Sequence, residues 1–217
     1  MTMSLREGLS FCRLGDRIVF LDLPADRYFC LAPATETIFA DACAGSPMNS
    51  AQCKALADAG LIDQTQNGRS LRECRGPLTV SSAFESRTIR RAPFTVARLF
   101  ANFARTQWSL RSRGLAATLS ALARRKPQAE SDVSARAVVD RIAQAQRTCA
   151  RTFGSHDRCL AYAIAVTRSL YVAGVDADIV IGVAMPPFRA HAWVQWRGVL
   201  VNERVEVAAH YTPILVL

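Results

Sequence analysis

The chain has no apolar segment long enough to form a membrane-spanning helix, although half of its 217 residues are hydrophobic. Such a helix needs about 20 consecutive apolar residues, and every apolar run here is interrupted earlier. The first eight residues, Met-Thr-Met-Ser-Leu-Arg-Glu-Gly, also lack the apolar core of a secretory signal. We therefore expect a cytoplasmic globular protein with no membrane span.

The cysteines lack the spacing of metal ligands and of a disulfide framework. There is no CxxC or HxxxH pair to support a closed zinc site, and the seven cysteines are odd in number and scattered. This pattern fits free thiols in a reducing compartment, with no metal and no cofactor. Six of them are most simply core residues: Cys12, Cys30, Cys43, Cys53, Cys74 and Cys149.

The net charge of +9 is not accompanied by a nucleic-acid-binding motif. No zinc finger, aromatic RNA-binding signature or glycine-rich phosphate loop occurs, so we expect no nucleic-acid partner. The basic residues concentrate in the middle of the chain, where they predict solvated helix faces or a docking surface for an acidic partner. They are Arg87, Arg90, Arg91, Arg98, Arg105, Arg111, Arg113, Arg124, Arg125 and Lys126.

What the sequence does contain is a thiol, an imidazole and an acid in chain order near the C-terminus. Cys159 opens a run of helical pattern, His191 opens an alternating strand, and Glu203 ends the strand that follows. A helix N-terminus lowers the pKa of a thiol, and Ser155 or Asp157 is a candidate cap for this helix.

These three residue types have complementary roles in nucleophilic catalysis. The imidazole takes the thiol proton and later gives it to the leaving amine, while a third group orients the imidazole. The backbone N–H of Cys159 is a candidate oxyanion donor. The combination predicts an enzyme with a cysteine nucleophile.

The turn between the two strands decides which residue orients His191. A three-residue turn, Trp196 to Gly198, would place Glu203 opposite His191, because side chains alternate along a strand. A two-residue turn at Arg197 and Gly198 would instead place Asn202 on the face of His191. We favour Glu203 and keep Asn202 as the alternative third member.

Structural roles are also open to these residues. A cysteine at a helix start is often a small buried hydrophobe, and a histidine among apolar residues can be a satisfied core residue. The joint occurrence of helix start, hairpin and chain order favours catalysis over these roles.

The same stretch resembles the lasso-peptide leader peptidases, the B-type maturation proteins with a transglutaminase-like fold. The resemblance covers about sixty residues of spaced motif: Cys159-Leu160, Gly174-Val175, Ile181-Gly182-Val183, Pro187-Phe188, Ala190 to Val194, Gly198 and Asn202-Glu203. It implies that Cys159, His191 and Glu203 are nucleophile, base and acid. The family usually has Asp at the position of Glu203, so the longer acid departs from its pattern.

The resemblance also implies a substrate and a partner. The enzyme would cleave the leader from a ribosomally made lasso-peptide precursor. Cleavage would free the amine that a partner cyclase, resembling asparagine synthetase and using ATP, joins to a side-chain carboxylate. Two alternative functions remain: a transglutaminase-like acyltransferase with the same triad, and a non-catalytic peptide-binding adaptor.

The N-terminal part has a different pattern of predicted elements. Strands are predicted over 9–14, 17–22 and 28–32, followed by helices over 34–43 and 50–59. This order predicts a small winged-helix-like module. Leu21-Asp22, Tyr28, Leu31 and the helix from Ala34 to Phe39 also resemble the peptide-recognition domain of ribosomal-peptide maturation systems, as in the pyrroloquinoline-quinone D-type fold.

That second resemblance implies that a leader peptide adds a strand to the exposed edge of the third strand. The candidate leader-binding residues are Tyr28, Phe29, Cys30, Leu31 and Cys53, and the alternative is that they pack the core of their own module.

Between the N-terminal part and Cys159, the sequence pattern is mainly helical. A basic amphipathic helix is predicted over 94–123 with a break at Gly114, and another over 133–152; such helices can lie on a membrane but more often cover a core. We predict an α+β protein with a recognition module at 1–74, a linker at 75–86 and a papain/transglutaminase-like cysteine peptidase domain at 87–217.

Overall fold

A computed structural model of the chain describes residues 3–63, 69–86, 93–128, 132–153 and 158–217. The chain divides into two compact units, residues Met1–Arg75 and Gly76–Leu217. Both contain helices and strands.

The first unit contains two small antiparallel sheets and two helices. One sheet has the order β2-β3-β4 and the other β5-β1-β6. The elements are β1 (Ser4–Leu5), β2 (Leu9–Leu14), β3 (Arg17–Asp22), β4 (Arg27–Cys30), α1 (Pro33–Cys43), α2 (Ser50–Asp58), β5 (Ile62–Asp63) and β6 (Arg69–Ser70). The predicted strands and helices of this part are therefore confirmed, with ends that shift by one or two residues.

An aromatic cluster forms the core of the first unit. The ring of Phe39 lies 5.0 Å from those of Phe11 and Phe20, which joins α1 to the β2-β3 hairpin. Phe29 of β4 stacks on Phe20 at 5.2 Å. The buried carboxylate of Glu36 accepts hydrogen bonds from the Arg17 guanidinium and the Ile18 backbone N–H, so α1 is also fixed through polar contacts.

The second unit packs helices against a five-stranded sheet of order β11-β8-β9-β10-β7. The neighbours are antiparallel except β10 and β7, which are parallel. The elements are β7 (Ser81–Ser82), α3 (Pro93–Ala123), α4 (Asp132–Phe153), α5 (Cys159–Val172), β8 (Asp178–Ala184), β9 (Arg189–Trp196), β10 (Val199–Leu200), α6 (Val205–Ala208) and β11 (Thr212–Val216).

The helix α5 is central because its sequence is apolar on nearly every side. Nine of its 14 residues are buried. It packs on α3, where Phe103 stacks on Tyr162 with ring centroids 4.3 Å apart. A helix buried all round is held rigidly, so the residue at its start has a fixed position.

Of the linker that the sequence predicts at 75–86, residues 76–86 belong to the second unit. The Val80 N–H donates to the Gly198 carbonyl at 2.8 Å, and β7 extends the sheet beside β10. The strand β7 consists of Ser81 and Ser82 only, and two serines give neither apolar character nor a detectable alternation in the sequence.

The predicted break in the long basic helix is confirmed at Gly114, whose φ of 78° and ψ of 175° interrupt α3. Two sets of predicted residues lie outside the described ones: the candidate caps Ser155 and Asp157, and Arg87, the predicted first residue of the peptidase domain. Within the ranges described, no helix has the length and apolarity to cross a membrane.

Candidate active site

The thiol of Cys159 lies at the first residue of α5. Arg158 occupies the capping position but makes no side-chain capping hydrogen bond. The Leu160 N–H at this helix start is directed at the sulfur, together with the N–H of Ala192 from β9. Both contacts favour the negatively charged thiolate.

His191 lies near the start of β9, which forms a hairpin with β10. Val199 pairs with Trp196 and Leu200 with Gln195, so the turn contains two residues, Arg197 and Gly198. Both have positive φ, 46° and 80°, as a type I′ turn requires. The three-residue turn that we favoured from the sequence is therefore wrong.

The choice of Glu203 nevertheless agrees with the geometry. The Nε2 atom of His191 lies 2.6 Å from Oε2 of Glu203. The β10 strand ends at Leu200 and the chain bends, so strand alternation no longer fixes which way the side chains of 201–203 point. Asn202 is buried instead, and its Oδ1 accepts a hydrogen bond from the Val194 N–H at 2.7 Å.

The carboxylate of Glu203 is held at both oxygens. Oε1 accepts from the Arg204 N–H at 2.9 Å, while Oε2 meets His191. The hydroxyl of Ser82 donates to the Glu203 backbone carbonyl at 2.7 Å and accepts from the Phe84 N–H at 3.1 Å. These contacts fix the acid, and β7 is therefore part of what positions the site.

The imidazole joins the acid to the thiol. Since Nε2 faces Glu203, Nδ1 is the ring nitrogen left for the hydrogen bond with Cys159. Burial alone would lower the pKa of His191, but hydrogen bonds to Cys159 and Glu203 raise it to about 9. Burial would likewise raise the pKa of Cys159, but the hydrogen bond and charge of His191 lower it below its ordinary value of 9.0. Both directions favour a thiolate–imidazolium pair.

Aromatic rings enclose the imidazole. The Tyr211 ring lies 5.1 Å and the Trp193 ring 6.3 Å from that of His191. Across the sheet His191 pairs with Gly182, where an added Cβ would lie 2.7 Å from the Trp193 ring and 2.9 Å from Tyr211 Cβ. Because Gly182 has no side chain, the Trp193 ring and Tyr211 can occupy the space beside its Cα. The His191 side chain is only 16% exposed, which limits the water that reaches it.

The candidate leader-binding residues of the first unit have different environments. Phe29 stacks on Phe20 and Leu31 is 8% exposed, so both pack the core of that unit. Cys30 is exposed and Tyr28 half-buried, on the opposite face of β4, and Cys53 is half-buried on α2. Among the strands that the structure describes, β4 pairs with β3 and is an edge of its sheet.

Ser82, Gly182 and Tyr211 were not assigned to the site from the sequence. Gly182 lies in the Ile181-Gly182-Val183 motif, and a glycine between two β-branched residues of a strand indicates that a side chain is excluded there. Ser82 and Tyr211 carry no comparable signal. Within the described residues, no group of histidine, cysteine and acidic side chains is arranged to hold a metal ion.

Two comparisons relate the chain to known proteins. A family model described as the transglutaminase-like superfamily matches residues 100–216. The microcin J25-processing protein McjB of Escherichia coli is 42% identical over 45 residues, which are 21% of this chain and 22% of that protein. The chain thus matches about a fifth of the length of this curated relative, and the match confirms the resemblance to lasso-peptide maturation proteins. No solved structure matches the chain significantly.

Proposed function

The chain belongs to the transglutaminase-like superfamily, and we propose that it is a cysteine endopeptidase that removes the leader from a lasso-peptide precursor. The observation that carries the proposal is the hydrogen-bonded series from Cys159 through His191 to Glu203. The likeness to a microcin J25-processing protein supports the substrate class.

The proposed mechanism is that of a thiol peptidase. The Cys159 thiolate attacks the carbonyl carbon of the scissile bond, and the backbone N–H of Cys159 is one donor for the oxyanion. As the C–N bond breaks, the His191 imidazolium gives its proton to the leaving amine. Water then attacks the thioester while His191 takes its proton, and the C–S bond breaks to restore the thiolate. Glu203 orients the ring and stabilises its charged form throughout.

The two products are a leader with a free carboxylate and a core peptide with a free α-amine. That amine is the nucleophile needed for macrolactam formation, which we assign to a separate ATP-using cyclase resembling asparagine synthetase. No nucleotide-binding motif occurs in this sequence. The peptidase would act in the cytoplasm, where the precursor is made.

The first unit would hold the leader as a winged-helix-like recognition module. We propose that the leader adds a strand to the free edge of β4, with Tyr28 and Cys30 facing it and Cys53 on α2 beside it. Phe29 and Leu31 would act indirectly, because they anchor β4 to the aromatic core.

The test is to incubate the protein in ¹⁸O-labelled water with a lasso-peptide precursor, with and without a primary amine. We expect two fragments and one ¹⁸O atom in the leader carboxylate. A leader carrying the amine in place of the label would instead identify an acyltransferase. Binding of the precursor without any cleavage, under conditions where the protein is folded, would identify an adaptor.

A further inference from the structure

All of the net positive charge of the chain lies in one segment. Residues 87–129 contain ten of the 27 basic residues and no Asp or Glu. The rest of the chain holds 17 basic and 18 acidic residues and is close to neutral. Solvated helices of ordinary proteins mix the two signs, so complete exclusion of acids over this length indicates an anionic partner.

Much of this segment is α3, whose outward side is apolar along its middle. Phe94 is 85% and Trp108 62% exposed, and between them lie the exposed residues Ala97, Ala101 and Ala104 at helical spacing. These five residues form the α3 stripe. The opposite side of the helix, with Leu99, Phe103 and Thr106, is buried. Exposure of the stripe is therefore not explained by the packing of the second unit.

Arginines border the α3 stripe on both sides. Arg98 and Arg105 lie along one border and Arg111 along the other, all exposed. None of the three belongs to an ion pair formed among the described residues. At the far end of the stripe, the Arg113 guanidinium lies 5.7 Å from the centre of the Trp108 ring.

The excess of positive charge extends to the neighbouring helix. Asn102 of α3 donates to Ser169 of α5 at 2.9 Å, which brings Arg105 close to Arg168. The Nε and Nη1 atoms of Arg168 are buried and have no hydrogen-bond partner among the described residues. Burial lowers the pKa of Arg168, and the charges of Arg105 and Arg125 lower it further. An anionic surface over this region would relieve that repulsion.

The shape and composition of this face favour one kind of anionic partner. The stretch from Pro93 to Arg113 is one uninterrupted helical segment about 30 Å long, so its exposed side can lie along a flat surface over its whole length. Aromatic residues at both ends of an apolar stripe, with arginines along its borders, are typical of helices that lie in a lipid interface. We propose that the exposed face of α3 binds the surface of an anionic lipid bilayer, with Phe94 and Trp108 entering the headgroup region and the arginines contacting phosphates.

Trp108 makes this proposal directly measurable. The other two tryptophans, Trp193 and Trp196, are 3% and 8% exposed. The full-length protein is titrated with vesicles of phosphatidylglycerol and phosphatidylcholine, or of phosphatidylcholine alone, while tryptophan fluorescence and flotation are followed. We expect binding and a blue shift with the anionic vesicles only, quenching by brominated lipid, and weakening as salt rises.

Amino-acid substitutions distinguish binding through the exposed face of α3 from a general effect of net charge. Arg98→Gln with Arg105→Gln should weaken vesicle binding by about 25-fold, at about fivefold for each arginine removed. The matched control is Arg136→Gln with Arg141→Gln on α4, which changes the net charge equally and should weaken binding by less than about threefold. Phe94→Ser should weaken binding as well, whereas Val172→Ser, at an exposed valine on α5, should not.

Several results would overturn the proposal. They are absence of binding to anionic vesicles, equal binding to both kinds of vesicle, a Trp108 signal that does not change on binding, or equal losses in the α3 and α4 variants. Salt-sensitive binding to polyglutamate or duplex DNA without binding to vesicles would reject a lipid in favour of an acidic protein or a nucleic acid. Cleavage of the precursor in the absence of vesicles should be the same in all these variants, so this test is independent of the proposed peptidase activity.

Discussion

Gly182 pairs with His191 across strands β8 and β9, and its missing side chain leaves room for the Trp193 ring. Trp193 and Tyr211 occupy this space and limit the positions of the imidazole. The orientation of His191 therefore depends on packing as well as on its hydrogen bonds.

Gly182→Ala should impair catalysis through this packing. The new Cβ would lie 2.7 Å from Cη2 and 2.8 Å from Cζ3 of Trp193, so the rings must shift. We expect a loss of stability of about 1–3 kcal/mol and a fall in kcat of at least about tenfold, with little change in KM. Thermal unfolding and steady-state kinetics measure the two effects. Trp193→Phe removes both ring atoms and should restore part of the activity of the alanine variant; no restoration would mean that the clash is not the cause.

The protonation states predict the pH dependence of Cys159. The pKa of Cys159 is lowered from 9.0 and that of His191 is raised to about 9, so there is a range of pH below about 9 in which thiolate and imidazolium coexist. Alkylation of Cys159 by iodoacetamide should rise with a midpoint below pH 9. Cleavage should fall again as pH rises through about 9, because the leaving amine then loses its proton donor. Peptide mapping separates Cys159 from Cys12 and Cys43, whose pKa values burial raises to about 12 and 11. A Cys159 midpoint at or above 9 would contradict the ion pair.

Substitutions of Glu203 and of Asn202 should have different effects on turnover and stability. Glu203→Gln keeps the size of the side chain but removes the charge that stabilises imidazolium, so turnover should fall by at least about 100-fold. The alkylation midpoint of Cys159 should also move to higher pH, while the melting temperature changes little. Asn202→Ala leaves the Val194 N–H without its acceptor and should cost about 1–3 kcal/mol of stability with the alkylation midpoint unchanged. The reverse pattern would make Asn202 the residue that orients His191.

Disruption of β4 should affect only substrates that carry a leader. Cys30→Pro removes a backbone donor from this edge strand and should raise the KM for full-length precursor by about tenfold or more, but not that for a short peptide spanning the cleavage site. Arg13→Pro in β2, the opposite edge of the same sheet, is the control: it removes the hydrogen bond from the Arg13 N–H to the Glu73 carboxylate and should leave both KM values unchanged. Circular dichroism establishes that each variant folds. An equal effect on both substrates would make the first unit a structural support rather than a leader-binding module.

Local signals explain what the sequence could predict. The helix start at Cys159 and the alternating strand from His191 follow from periodicity within a few residues. The turn was misjudged because Arg197 adopts a positive φ, which non-glycine residues seldom do. Glu203 reaches His191 only because β10 has two residues, and the end of so short a strand has no sequence signal. Ser82 supports Glu203 from 121 positions away, so that contact requires the folded chain.

The central claim is that Cys159 forms a thioester with the leader. The most direct measurement is the intact mass of the protein, quenched in acid within the first turnovers of the precursor peptide. We expect an adduct of the leader mass less one water, mapped to Cys159, and no adduct or cleavage in Cys159→Ala, which should still bind the leader. Undiminished cleavage by the purified Cys159→Ala protein, or a leader adduct on another residue, would contradict the account.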